Sequence, residues 1–189
     1  EEGVMKEECD RINPVFFHFI STKTPYVILK YAMTMDGKIA AASGDSKWIT
    51  GEEARLNVHR DRASSMAIMT GIGTVLADDP LLTCRIPGGK NPIRIICDSS
   101  LKLPLSSQIA STASSVPTIV MTCCEDENKR EKLQEKGCQI LTVPEKDGHI
   151  DLKAAMELLG EKNIDSILLE GGSSLNWSAL QMGIVKKVQ

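Results

Sequence analysis

From residue 26 onward, short apolar runs alternate with charged, amphipathic stretches. The runs fall at 26–32, 66–70, 93–97, 118–122 and 166–169. Each has the length of a buried strand and is bounded by Gly, Pro or Asp. Because the runs are nearly continuous rather than alternating, they fit strands covered on both faces. Helical patterns lie between them. Thr50 followed by Glu53 predicts a capping box opening a helix to about residue 63. The charged stretch 125–136 stops at Gly137, a favourable residue just past a helix end. Leu152, Ala155, Met156 and Leu159 fall at i, i+3, i+4 and i+7 and predict one apolar stripe beginning after Asp151. Ser173 or Ser174 is expected to cap a last helix ending near Gly183. This order predicts an α/β domain with a mostly parallel sheet. Residues 1–25 break the pattern: they hold Phe16, Phe17 and Phe19, predict one amphipathic helix, and end in a polar break at 21–25. They read as an entry arm or inter-domain linker.

Composition narrows the function classes. With 189 residues, 42% of them hydrophobic, the chain supports one good core. A net charge of -3 gives no strong overall field toward nucleic acid or an anionic membrane, although a local basic cluster can still hold a small anion. No stretch approaches the roughly 20 apolar residues of a membrane helix. The acidic opening residues do not resemble a secretory leader, so a cytoplasmic address is expected. The six cysteines form no C-x-x-C pair and the three histidines stand far apart. No metal site is therefore expected.

Five segments carry candidate chemistry. Glu170-Gly171-Gly172-Ser173-Ser174 leads from a strand into a helix, where glycine lets a phosphate approach the backbone and the helix N-terminus offers unpaired N–H groups. An acid at a strand's C-terminal end lies where ligands of α/β folds gather. Segment 71–83 also follows a strand but is not the G-x-G-x-x-G fingerprint, since position 76 is leucine. It predicts a tight turn into a short helix. Its Asp78-Asp79 pair either marks a solvated helix end or sits near a reacting sugar or a cofactor. In segment 33–50, Asp36-Gly37 predicts a turn, and Trp48 either plugs the core or stacks on a planar ring. Arg55, His59 and Arg62 share one helical face, with Arg85 in a separate loop; guanidinium forks suit phosphate oxygens. Lys30 interrupts an apolar strand, where it either snorkels to the strand end or acts in proton transfer.

Taken in order, 29–38, 44–50, 73–83 and Leu169-Glu170-Gly171-Gly172 resemble one family over about residues 25–189. That family is the reductase domain of the bifunctional diaminohydroxyphosphoribosylaminopyrimidine deaminase / 5-amino-6-(5-phosphoribosylamino)uracil reductase of riboflavin biosynthesis. The resemblance implies a dihydrofolate-reductase-like α/β fold with a mixed, mostly parallel sheet. It implies NADPH as cofactor and reduction of the ribosyl group of a pyrimidine ribotide phosphate to the ribityl form. By position, Ala32, Trp48, Thr74, Asp78 and the turn containing Gly172, Ser173, Ser174, Leu175 and Asn176 resemble cofactor contacts, with Ser99 a further one. Ser46, Arg62, Leu82, Arg85 and Glu170 resemble substrate contacts, with Arg62 and Arg85 suited to the phosphate. Lys30, Asp78 and Glu170 are the candidates for proton handling. The family's deaminase half needs H-x-E and P-C-x-x-C motifs to hold zinc; neither occurs here, so this chain is not expected to deaminate. Residues 1–24 resemble the tail of that half, which would be the partner domain of a full-length protein. Residues 25–189 resemble a reductase domain that lacks its last strands, in a homo-oligomeric enzyme. Three other functions stand beside this one. They are a reductase acting on the ribotide before deamination, a dihydrofolate reductase, and a nucleotide-binding module without turnover.

Overall fold

In the computed structural model, residues 3–42 and 49–189 are described. The chain runs α1 (Lys6–Ile12), α2 (Pro14–Thr22), β1 (Tyr26–Leu29), α3 (Glu52–Ser64), β2 (Ala67–Gly71), α4 (Ile72–Asp78), β3 (Ile93–Cys97), α5 (Gln108–Ser111) and β4 (Thr118–Thr122). It continues α6 (Glu127–Glu135), β5 (Cys138–Thr142), β6 (Glu145–Lys146), β7 (His149–Ile150), α7 (Leu152–Glu161), β8 (Ser166–Leu169), α8 (Ser173–Gln181) and β9 (Val185–Val188). Seven strands form one sheet in the order β5-β4-β3-β2-β8-β1-β9. The expected mostly parallel sheet is present, and every pairing within it is parallel.

The apolar runs form strands because both of their faces are covered. Successive side chains of a strand point to opposite faces, and the core divides accordingly. Ala67 and Met69 join one cluster with Val27, Leu29, Leu169 and the α7 stripe. Ile68 joins another with Ile96, Val120, Ile109 and Leu133. Helix α7 follows its pattern: Leu152, Ala155, Met156 and Leu159 are buried, and the Asp151 carboxylate accepts from the Lys153 and Ala154 amides. Its Gly160 lies so close to the end of α2 that an added Cβ would fall 1.9 Å from the Lys23 carbonyl oxygen.

Several expectations are corrected. The first run forms strand only to Leu29, although the Lys30 amide still donates to the Leu169 carbonyl at 3.0 Å and the Tyr31 amide to the Gln189 carbonyl at 3.3 Å. The arm holds two helices rather than one, since Asn13 and Pro14 end α1 and restart the chain as α2, with the Asn13 side chain accepting from the Phe16 amide. The Thr50–Glu53 capping box does not form. Gly51 is the N-cap of α3, without a side-chain bond, and the Thr50 carbonyl instead accepts from Arg55 Nη1 at 2.7 Å. Helix α8 begins at Ser173, so Gly172, not a serine, is its N-cap. Strands β5, β6, β7 and β9 and helix α5 were not anticipated. Their sequences are short or polar, and pairing with neighbours rather than local periodicity makes them.

Candidate active site

At the C-terminal ends of β2, β3 and β8 lies a cleft of about 700 Å³, within the range of small-molecule sites. Its walls come from three strand-to-helix or strand-to-loop turns and from the β6–β7 hairpin. The first turn brings Gly71, Thr74, Ala77 and Asp78, the second Cys97, Asp98, Ser99 and Lys102, and the third Gly172, Ser173, Ser174, Leu175 and Ser178. The hairpin supplies Lys146 and His149. Its turn residues Asp147 and Gly148 both have positive φ, 52° and 78°, which suits a two-residue hairpin loop. The Ser99 hydroxyl accepts from the Ile150 amide at 3.1 Å and ties the hairpin to the end of β3.

The local backbone is shaped for a ligand. Helices α5, α6 and α7 have side-chain caps at Ser107, Asp126 and Asp151. Helix α8, like α3 and α4, has a glycine N-cap and no side-chain cap; it opens on the cleft behind Gly172, so its first N–H groups remain available. A Cβ on Gly172 would approach Thr74 Oγ1 to 3.3 Å, which brings the two turns together. Asn176 Nδ2 donates to the Gly171 carbonyl at 3.1 Å, while its Oδ1 is buried with no hydrogen-bond partner among the described residues. A buried acceptor of this kind costs about 1–3 kcal/mol unless a donor reaches it. Asp98 is buried; its carboxylate accepts from the Lys102 and Leu103 amides at 2.9 and 2.8 Å. Burial pushes its carboxyl up and these amides pull it back. Burial also pushes the Cys97 thiol up to about 12, so it stays protonated and is no nucleophile.

Lys30 and Glu170 are neighbours. Leu29 pairs with Leu169 in the β1–β8 register, so the two residues leave adjacent strand ends together, and the Lys30 amide donates to the Leu169 carbonyl at 3.0 Å. Glu170 is held at both of its carboxylate oxygens. Arg62 Nε and Nη2 donate to its Oε1 and Oε2, each at 2.8 Å, and both side chains are only about one-eighth exposed, at 12% and 13%. The Glu170 backbone is fixed by the Met69 carbonyl and the Thr70 hydroxyl. Arg62 Nη1 reaches the Thr83 carbonyl at 3.0 Å. Asp78 stands at the end of α4 on the cleft wall, whereas Lys30 and Glu170 are not among the residues that line the cleft.

The remaining predicted site residues separate. Thr74, Asp78, Ser99, Gly172, Ser173, Ser174 and Leu175 line the cleft, and Asn176 does not. Ala32 follows β1 and is half-buried. Arg85 is exposed in the loop after α4, beside His59. Leu82 differs from a residue offering its side chain to a substrate: it is 4% exposed and packed in the second core cluster. Its φ is 52°. Ser46 and Trp48 lie outside the described residues. Lys102, Lys146 and His149 went unnoticed in the sequence, because the lysines sit in polar loops and the hairpin that carries two of the three has no periodic signal. Among the described residues, no group of His, Cys, Asp and Glu could hold a metal ion, and no helix is long and apolar enough to cross a membrane.

Comparison with known proteins follows this geometry. The riboflavin biosynthesis protein RibD of Actinobacillus pleuropneumoniae is 52% identical over 99% of this chain, which spans 50% of that protein. The 2,5-diamino-6-ribosylamino-4(3H)-pyrimidinone 5′-phosphate reductase of Methanothermobacter thermautotrophicus is 39% identical over 87% of this chain and 76% of its own length. The crystal structure of a diaminohydroxyphosphoribosylaminopyrimidine deaminase/5-amino-6-(5-phosphoribosylamino)uracil reductase from Thermotoga maritima superposes with a TM-score of 0.75 at 34% identity. The match covers 95% of this chain and 48% of that one. The chain thus spans about half the length of the curated RibD relatives it matches. The profile of the RibD C-terminal domain matches residues 25–189, and the chain belongs to that family.

Proposed function

We propose that this chain is an NADPH-dependent reductase that converts the ribosyl group of 5-amino-6-(5-phosphoribosylamino)uracil to the ribityl form, in riboflavin biosynthesis. The observation that carries this reading is the placement of Lys30 beside Arg62-bound Glu170 on adjacent strand ends, next to the cleft. The residues fit NADPH. The uncapped N-terminus of α8 and Thr74 suit a pyrophosphate, the orphaned Asn176 Oδ1 seeks a donor, and Lys102 and Lys146 offer charge for a 2′-phosphate. Lys30 and Ser99 end strands three steps apart in the sheet. At 4.7–4.9 Å per step that is roughly 14 Å, a span that suits a dinucleotide lying across the strand ends.

When bound, NADPH supplies the hydride that C1′ of the sugar accepts. The chain's residues do the rest by alignment and proton supply. Glu170 already accepts from Arg62 at both oxygens, so its remaining lone pairs hold sugar hydroxyls. Lys30 delivers a proton to the ring oxygen as its bond to C1′ breaks, which balances one hydride with one proton. Asp78 faces the cofactor from the cleft wall and is the alternative donor. Arg85, and the outward edge of Arg62, meet the substrate phosphate.

Half of each RibD relative lies outside the matched region, and the Thermotoga maritima protein is named a deaminase as well as a reductase. We propose that residues 1–24 join this reductase domain to a zinc deaminase domain in the full-length protein. Similarity to the 2,5-diaminopyrimidinone phosphate reductase favours a second substrate, the ribotide before deamination. Single-turnover loss of NADPH absorbance with each ribotide tests both readings. Lys30→Ala is expected to slow the step by about a hundredfold or more. Near-normal rates in Lys30→Ala, Asp78→Asn and Glu170→Gln together would refute the site.

A further inference from the structure

Helix α3 fastens three consecutive residues of the loop that carries Arg85. Arg62 Nη1 donates to the Thr83 carbonyl at 3.0 Å. Cys84 Sγ donates to the His59 carbonyl at 3.3 Å. The Arg85 amide donates to His59 Nδ1, also at 3.3 Å. His59 lies one turn before Arg62, so a single helix face grips both the loop and Glu170. The third contact differs from the others in needing one ring nitrogen unprotonated. A neutral imidazole with its proton on Nε2 accepts at Nδ1; an imidazolium has no lone pair to offer.

The surroundings keep the ring in that form. Among the described residues, the charges that act on His59 are those of Arg62, Arg85 and Glu170, all in this cluster. Burial lowers its pKa most, Arg62 and Arg85 lower it further, and Glu170 with the Thr83 carbonyl acts in the opposite direction. Cationic neighbours also suit a site that receives an anion.

We propose that His59 is a positioning residue for substrate-phosphate recognition: by accepting the Arg85 amide at Nδ1, it sets the Arg85 loop at the height at which that guanidinium meets the phosphate. The inference rests on the reductase reading above and adds to it a residue that touches neither substrate nor cofactor. Asparagine places an oxygen close to the position of Nδ1, whereas glutamine places its polar end near Nε2. The two amides therefore separate the hydrogen bond from mere bulk.

The test uses the full-length protein and compares His59→Asn with His59→Gln. In each, KM and kcat are measured for the ribotide and for its dephosphorylated nucleoside, together with the Kd for D-ribose 5-phosphate and for NADPH. His59→Gln is expected to raise KM for the ribotide and Kd for ribose 5-phosphate about tenfold. It should leave kcat, the nucleoside KM and NADPH binding within about twofold, while His59→Asn stays near wild type. Equal behaviour of the two variants, or an equal loss on the nucleoside, would overturn the proposal. A wild-type enzyme that fails to reduce the ribotide would instead refute the reductase reading. Ribose 5-phosphate binding would then still decide the role of His59 on the phosphate.

Discussion

Replacing Arg62 with methionine tests how the site's central acid is held. The methionine keeps much of the aliphatic length and removes the fork. It leaves the Glu170 carboxylate, 13% exposed, without either of its 2.8 Å donors, and the Thr83 carbonyl without its own. Removing one partner of a fully buried pair costs about 3–5 kcal/mol, because a charge is stranded in a poorly solvated place. The slight exposure here lets water reach the stranded carboxylate, so about 2–3 kcal/mol is expected. For a domain of this size that is a fall in Tm of roughly 6–9 °C.

Urea unfolding of wild type, Arg62→Met, Glu170→Leu and the double variant separates the pair from its surroundings. Stranding either charge alone is costly, whereas replacing both with apolar groups is often close to neutral. The double variant should therefore be more stable than the sum of the singles predicts, with a coupling of about 1.5 kcal/mol or more. Additive singles, or an Arg62→Met loss under about 0.5 kcal/mol, would mean that the pair is surface decoration. Glu170 would then lose its claim to a fixed orientation.

Four other outcomes follow from the same geometry. Lys102→Glu with Lys146→Glu is expected to lower the NADPH-over-NADH preference, read as the ratio of kcat/KM values, by at least about tenfold, and an unchanged ratio would remove both lysines from the cofactor site. Gly160→Ala should destabilise by about 3 kcal/mol or more, seen as a loss of Tm, because its Cβ would lie 1.9 Å from the Lys23 carbonyl oxygen, a backbone atom with little freedom to withdraw. Arg94→Met should lower urea stability by about 2–4 kcal/mol, since this fully buried arginine serves the Leu81, Ile109 and Val116 carbonyls and the Thr112 and Thr118 hydroxyls. Burial is the main cause that lowers the pKa of both His18 and His59, so the unfolded chain binds protons first on acidification and stability should fall from pH 7 toward pH 5; His59→Asn should flatten part of that slope in urea titrations at each pH.

The central strands and α7 were legible because their patterns follow from burial alone. A strand with both faces covered is apolar throughout, and Leu152, Ala155, Met156 and Leu159 repeat at the helical period. The turns that carry the cleft were legible as chain order, from strand to glycine to helix. Partnership was not legible. Arg62 and Glu170 are 108 positions apart in sequence, and nothing local tells an arginine on a charged helix face that its partner is an acid at a distant strand end. Leu82 reads as one more apolar residue of a loop, although its side chain fills the core and its backbone is left-handed. Helix α3 was placed correctly for a reason that does not hold, since the Thr50 carbonyl rather than its hydroxyl is used. Strand β9, Val185–Val188, carries two lysines and is a strand only because β1 offers it an edge.

The departures from local rules collect around one place, and they are connected. Arg94, the second residue of β3, holds the Leu81 carbonyl. The next residue, Leu82, adopts a φ of 52°, which leucine normally avoids, and the residue after that gives its carbonyl to Arg62. Arg62 in turn orients Glu170, and α8 starts three residues beyond Glu170 without a cap. A buried cation with only neutral acceptors, a strained leucine, a partly buried ion pair and an uncapped helix each cost stability when taken singly. Their succession along one chain of contacts is what a site held rigid for a charged ligand requires, since strain persists only where the surroundings over-determine it. Weakening Arg94 should therefore loosen Leu82 and the Arg62–Glu170 pair together. Hydrogen exchange at the amides of 81–85 and 169–171 should rise in the Arg94→Met variant, while that of α7 holds.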